Sequence, residues 1–160
     1  MNRDLDLAIN LRKSGKLRES NELLVKLANA YPEDATINYH CACGLDALGL
    51  DADAIHYYEN AIYGKLPKDD LQEAIINLGN NYRDLGRYVK ARQVFEYGLN
   101  MFPRNNAIKV FYAMTLYNLK EYEKSTEILL KVLAETSNDI NIMKYKKVIQ
   151  FCSDKLDMRW

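Results

Sequence analysis

The chain has 160 residues, with 22 Lys and Arg against 22 Asp and Glu, so its formal net charge is zero. That length suits one ordinary domain or one short repeat array. A zero balance argues against a nucleic-acid binder, which carries a basic surplus to neutralise phosphates, and against charge-driven docking on an anionic membrane.

No apolar run nears the roughly 20 residues that span a bilayer. The N-terminal MNRDLDLAIN lacks the charged-then-apolar pattern of a signal segment, so the chain reads as cytoplasmic. Cys41, Cys43 and Cys152 are odd in number and lack the spacing of a disulfide framework, so reduced thiols are expected. Scarce proline and few β-branched runs favour helix throughout.

In chain order, helices are expected near 3–14, 17–30, 35–48, 51–64, 70–85, 88–101, 105–119 and 122–135. Asp70 with Glu73 reads as a capping pair for the fifth, with Pro67 in the turn before it. The acidic pairs Glu33–Asp34 and Asp69–Asp70, at turns before helices, read as caps that complement helix dipoles. A ninth helix is expected after Asn138–Asp139, running to about Leu156 on a stripe of Ile142, Tyr145, Ile149, Cys152 and Leu156.

These segments repeat. Gly15, Gly49, Gly86 and Lys120 stand 34, 37 and 34 residues apart. Seven residues before each anchor sits a small side chain (Ala8, Ala42, Gly79, Ala113), and four before sits a large one (Leu11, Leu45, Tyr82, Leu116). After each come Ser20, Ala54, Ala91 and Ser125, then Leu24, Tyr58, Phe95 and Leu129. A period near 34 with paired amphipathic segments is the mark of a helix–turn–helix repeat. Small residues such as Gly79 and Ala91 let paired helices cross closely, and the large ones fill the remaining space. A helical Gly costs up to about 1 kcal/mol against Ala, whereas burying a Phe or Leu contributes about 1.5–3 kcal/mol, so packing wins.

The order Leu78–Gly79, Tyr82, Gly86, Ala91, Phe95, Pro103 resembles the tetratricopeptide repeat. Repeats are placed at about 1–34, 35–68, 69–105 and 106–138, with a C-terminal capping helix at 139–157, as one domain over 1–160. The fourth departs from the pattern, with Lys120 for the turn glycine and no closing proline. Residues from about 35 to 158, above all VFYAMTLYNL and LLKVLAETS, are similar to the bacterial subfamily called tetratrico peptide repeat group 5. The resemblance implies an all-α, right-handed helical solenoid. It implies a scaffold that binds a partner peptide or helix in a concave groove, or alternatively a structural homodimer with no separate groove ligand. It implies no catalysis and no cofactor.

In that family the first helix of each pair lines the groove. Carried over by position, the lining comprises Leu5, Ile9 and Arg12; Tyr39, Cys43 and Asp46; Glu73, Ile76, Asn80 and Arg83; and Val110, Met114 and Tyr117. Asn80 can hold a backbone amide through its donor and its acceptor, and Arg83 can fork onto a carboxylate. The structural alternative makes Ile76 and Val110 core residues and Arg83 a surface charge bridged to Asp46. The family's carboxylate clamp of two Lys, one Arg and two Asn is missing, since Leu5, Ile9, His40, Glu73 and Asn77 stand there. On the last helix Val148, Phe151, Met158 and Trp160 fall outside the main stripe and are candidates for self-association.

HCAC at 40–43 invites a metal reading. Cys41 and Cys43 point to nearly opposite sides of a helix, and no second cluster completes four ligands, so no metal site is expected. His40 and His56 accompany no nucleophile or metalloprotease motif.

Overall fold

The computed structural model describes residues 3–159. Its order is α1 (Arg3–Lys13), α2 (Leu17–Ala30), α3 (Ala35–Asp46), α4 (Asp51–Tyr63), α5 (Lys68–Asp84), α6 (Tyr88–Met101), α7 (Asn106–Asn118), α8 (Tyr122–Thr136), α9 (Ile140–Lys144) and α10 (Lys146–Cys152). No strand occurs among the described residues. Contacts divide the chain into two units, Met1–Leu85 and Gly86–Trp160. In the first, α1 packs on α2, α2 on α3, α3 on α4 and α4 on α5. In the second, α6 packs on α7, α7 on α8 and α8 on α10.

The turns after α1, α3 and α7 share one closure. After α1 the Lys16 N–H donates to Leu11 O at 2.9 Å and Gly15 N–H to Arg12 O at 3.0 Å. After α3 the Leu50 N–H reaches Leu45 O, and after α7 the Glu121 N–H reaches Leu116 O. This six-to-one bond caps orphan carbonyls and needs one left-handed residue. Gly15 and Gly49 supply it at φ of 82° and 71°, and Gly86 is left-handed too, at φ 71°. Lys120 adopts φ 66° despite its side chain, so the fourth turn keeps the geometry without the glycine.

The α1–α2, α3–α4 and α7–α8 hairpins cross at small residues. Ser20 Oγ donates to Ala8 O at 2.7 Å, and Ser125 Oγ to Ala113 O at 2.6 Å. Ala42 and Ala54 hold the same register with no exposed surface. Tyr58, Phe95, Leu24, Ile75, Ile108 and Leu116 are the large, fully buried side chains around these crossings. The chain enters α3 and α7 alike. Asp34 accepts from Ile37 N and Asn105 from Ile108 N, each at 3.0 Å, as expected of N-caps.

Two expectations are corrected. Asp70 and Glu73 do not form a capping pair. α5 begins at Lys68 behind Pro67, whose carbonyl takes the first helical bond from Leu71 N, so Asp69 and Asp70 lie inside the first turn. Proline sets its own φ near the value that a helix entry needs, and it starts the helix earlier than the acidic pair. The single C-terminal helix is instead two short ones, α9 and α10. They are broken at Tyr145 (φ −103°, ψ 8°), and α10 ends at Cys152 rather than near Leu156. Neither fully buries a residue, and a helix with so little packed surface gains little from continuing.

The turn geometry predicts opposite signs for two substitutions. Lys120→Gly relieves a left-handed side chain and is expected to stabilise by about 0.5–1 kcal/mol. Gly49→Ala has open space for its Cβ, with nothing within 4 Å, so only the backbone cost of about 1 kcal/mol applies and it destabilises. Denaturant unfolding of both variants checks the pair.

Candidate functional site

In the first unit the initial helices of successive hairpins are tied side by side. Arg12 on α1 donates to His40 O on α3 at 3.0 Å and to His40 Nδ1 at 3.3 Å. Tyr39 on α3 donates to Glu73 Oε2 on α5 at 2.6 Å, and Asn81 on α5 donates to Asp46 Oδ1 on α3 at 2.8 Å. From α4, Tyr58 donates to Asp46 Oδ2 at 2.5 Å, lies 3.6 Å from Cys43 Sγ, and accepts from Asn77 Nδ2 at 3.1 Å. Polar links thus join α1 to α3 and α3 to α5 at several points along their length.

Of the residues named from the sequence, Leu5 and Tyr39 are buried, at 7% and 4% exposure. Ile9, Arg12, Cys43, Asp46, Ile76, Asn80 and Arg83 are half-buried, and Glu73 is exposed. Arg83 does not bridge to Asp46. It pairs with Asp84 at 3.1 Å and donates from Nε to Asn80 Oδ1 at 3.4 Å, while Tyr58 and Asn81 donate to the two oxygens of Asp46. In the second unit α7 presents Val110 half-buried, Met114 at 36% and Tyr117 at 62% exposure. Tyr117 meets Tyr122 edge-on with ring centres 4.9 Å apart. Val148, Phe151 and Met158 are each more than half exposed. Met158 lines a cleft of about 620 Å³ with Tyr122 and Leu156. Trp160 lies outside the described residues.

The sequence named Tyr58 only as a large repeat position and Asn77 only as a clamp position, and it did not single out Asn81 or the Arg12–His40 link. A usable signal was present: Tyr39 and Glu73 are 34 residues apart, and Asp46 and Asn81 are 35, so polar residues one repeat apart become neighbours.

Burial dominates the electrostatics. It raises the Tyr39 and Tyr58 phenols well above their ordinary range, with the acidic acceptors Glu73 and Asp46 adding to the effect. It raises the Cys43 thiol and pushes Cys41 up to about 11, so neither forms a thiolate near neutrality. Asp46 is also raised, since desolvation outweighs the hydrogen bonds from Tyr58 and Asn81. His40 is pushed down to about 4, first by burial and then by the charges of Arg12 and Lys13. Because Arg12 only donates, His40 Nδ1 accepts and the neutral ring carries its proton on Nε2. These groups are held neutral or hydrogen-bonded, which suits a fixed recognition surface. Among the described residues no group of three or more His, Cys, Asp and Glu is placed to hold a metal ion, and no helix is long and apolar enough to cross a membrane.

The family model described as Tetratrico peptide repeat matches residues 35–156, and the chain belongs to that family. No curated protein matches the chain in sequence. Among solved structures it is similar to a tetratricopeptide repeat protein from Parabacteroides merdae, with TM-score 0.74 and 21% identity over 92% of this chain and 57% of that one. It thus spans little more than half of that protein. It is similar to YrrB, described as a tetratricopeptide repeat protein with an unusual peptide-binding site, with TM-score 0.72 and 18% identity over 88% of this chain and 71% of that one. It is also similar to a protein described as the MamA RS-1 ArsTM double mutant, with TM-score 0.72 and 16% identity over 98% of this chain and 89% of that one. At these identities the likeness is one of fold, the helical repeat expected from the sequence.

Two measurements probe the polar links. Asp46→Ala strands the Tyr58 hydroxyl and the Asn81 amide and is expected to destabilise by about 2 kcal/mol or more, with Asp46→Asn costing less. The unfolded chain protonates His40 near its ordinary 6.5 while the folded chain resists to about 4. Stability is therefore expected to fall as pH drops through that window, and His40→Gln to flatten the profile in acid-denaturation curves.

Proposed function

We propose that the protein is a non-catalytic scaffold that binds a segment of another protein, a helix or extended peptide, on the surface of its initial repeat helices. The observation that carries this is the α1–α3–α5 face. Its backbone positions are locked by Arg12–His40, Tyr39–Glu73 and Asp46–Asn81, while Ile76, Asn80 and Arg83 remain half-exposed above them. A face whose side chains are already held loses little freedom on binding, so more of the contact energy appears as affinity. Asn80 and Arg83 supply a polar edge for a peptide backbone or carboxylate, and Ile76 an apolar contact. On α7, Val110, Met114 and Tyr117 offer a mainly apolar set of the residue types favoured at interfaces. The peptide-binding description of YrrB supports the same class of partner. The setting we propose is the cytoplasm, where free thiols such as Cys41, Cys43 and Cys152 stay reduced.

Panning a displayed peptide library on the chain tests the reading. Selected peptides are expected to shift backbone NMR signals of α3 and α5, and the double variant Asn80→Ala, Arg83→Ala to weaken them by about tenfold or more. Failure to select any peptide, or shifts confined to other helices, would overturn it.

A further inference from the structure

We infer that α9 and α10 form a second interaction surface, fitted to an acidic amphipathic helix of a partner protein. Residues 140–153, INIMKYKKVIQFCS, carry Lys144, Lys146 and Lys147 and no Asp or Glu, in a chain whose net charge is zero. Among the described residues none of the three makes an ion pair, whereas Arg92, Lys109, Lys131 and Lys155 in the same unit all do. The lysines are interleaved with apolar side chains, several of which stand well exposed. Ile140 is 79% exposed, Met143 56% and Val148 58%, and neither helix buries a residue. Exposed apolar residues grouped this way mark an interaction surface rather than ordinary solvent-facing chain.

Charge decides what covers it. In a two-fold contact between copies of the chain, the same lysines face each other, which disfavours self-association through this face. An anionic bilayer attracts the lysines, but as a continuous plane it also meets the acids at the margins. Asp139 caps α9 at one end, and Asp154 and Asp157 follow α10 at the other. A helix of about three to four turns laid along the segment meets lysine alone and falls short of those acids. Its apolar side chains then cover Met143 and Val148 while its Asp and Glu reach the three lysines, the helix-in-groove mode with charge setting orientation.

The experiment uses two labelled helical peptides of equal apolar content, one with Leu and Glu and one with Leu and Lys, in fluorescence anisotropy with the full chain. The Leu/Glu peptide is expected to bind about tenfold tighter or more, and to weaken as salt rises. The variant Lys144→Glu, Lys146→Glu, Lys147→Glu is expected to reverse the preference. Met143→Ser with Val148→Ser is expected to weaken the Leu/Glu peptide about tenfold with helical circular dichroism unchanged, since both side chains are exposed. Equal binding of the two peptides, or indifference to either variant, would overturn the inference. So would binding to phosphatidylserine vesicles with no peptide binding, or a dimer in sedimentation that the Met143→Ser, Val148→Ser variant dissociates.

Discussion

Two helices approach only as closely as the side chains between them allow, and this chain repeats one solution to that limit. Ala8 with Ser20, and Ala113 with Ser125, bring helix against helix until a serine hydroxyl reaches the facing carbonyl. Ala42 and Ala54 do the same without the hydrogen bond. A larger residue at any of these positions would overpack the crossing at a cost of about 1–3 kcal/mol. The close crossing leaves flanking space that Leu24, Tyr58 and Leu116 fill completely. The left-handed turns follow from the same demand, because the chain must reverse within a few residues to bring the second helix back at that distance.

Once hairpins are fixed, stacking turns sequence period into spatial neighbourhood. Tyr39 meets Glu73 and Asp46 meets Asn81 because each pair lies about one repeat apart. The fold was legible for this reason: small, large and glycine positions recur together, and coincidence at several positions is hard to produce otherwise. The partners of individual polar groups were less legible. Arg83 and Asp46 looked complementary in charge, yet Arg83 pairs with Asp84, and Asp46 accepts from Tyr58 on α4 and Asn81 on α5. Charge pairing read along one face ignores neutral donors arriving from a different helix. Asp70 and Glu73 failed similarly, since a capping rule for side chains lost to the backbone constraint of Pro67.

The end of the chain shows the limit of periodicity. Ile142, Tyr145, Ile149, Cys152 and Leu156 fall at helical spacing, but Tyr145 and Leu156 are more than half exposed and the helix breaks at the first of them. A stripe predicts which face a helix would bury; it does not provide the surface to bury it against. Where α8 has its neighbours, the same kind of stripe holds fifteen residues in one helix, Tyr122–Thr136. Tertiary packing, more than propensity, sets how long a helix runs.

A zero net charge is itself an average over unlike regions. On the α1–α3–α5 face the half-buried Asp46 accepts from Tyr58 and Asn81 and the exposed Glu73 from Tyr39, so both acids already have neutral partners. On α9 and α10 three lysines stand among exposed apolar side chains with no acid in the run. Overall balance excludes a uniform field strong enough to steer the molecule onto nucleic acid or lipid. It leaves local fields intact, because at physiological salt a charge is felt over only about 8 Å, less than the length of a short helix. Selectivity in such a chain is therefore set patch by patch, by what each few residues leave unpaired.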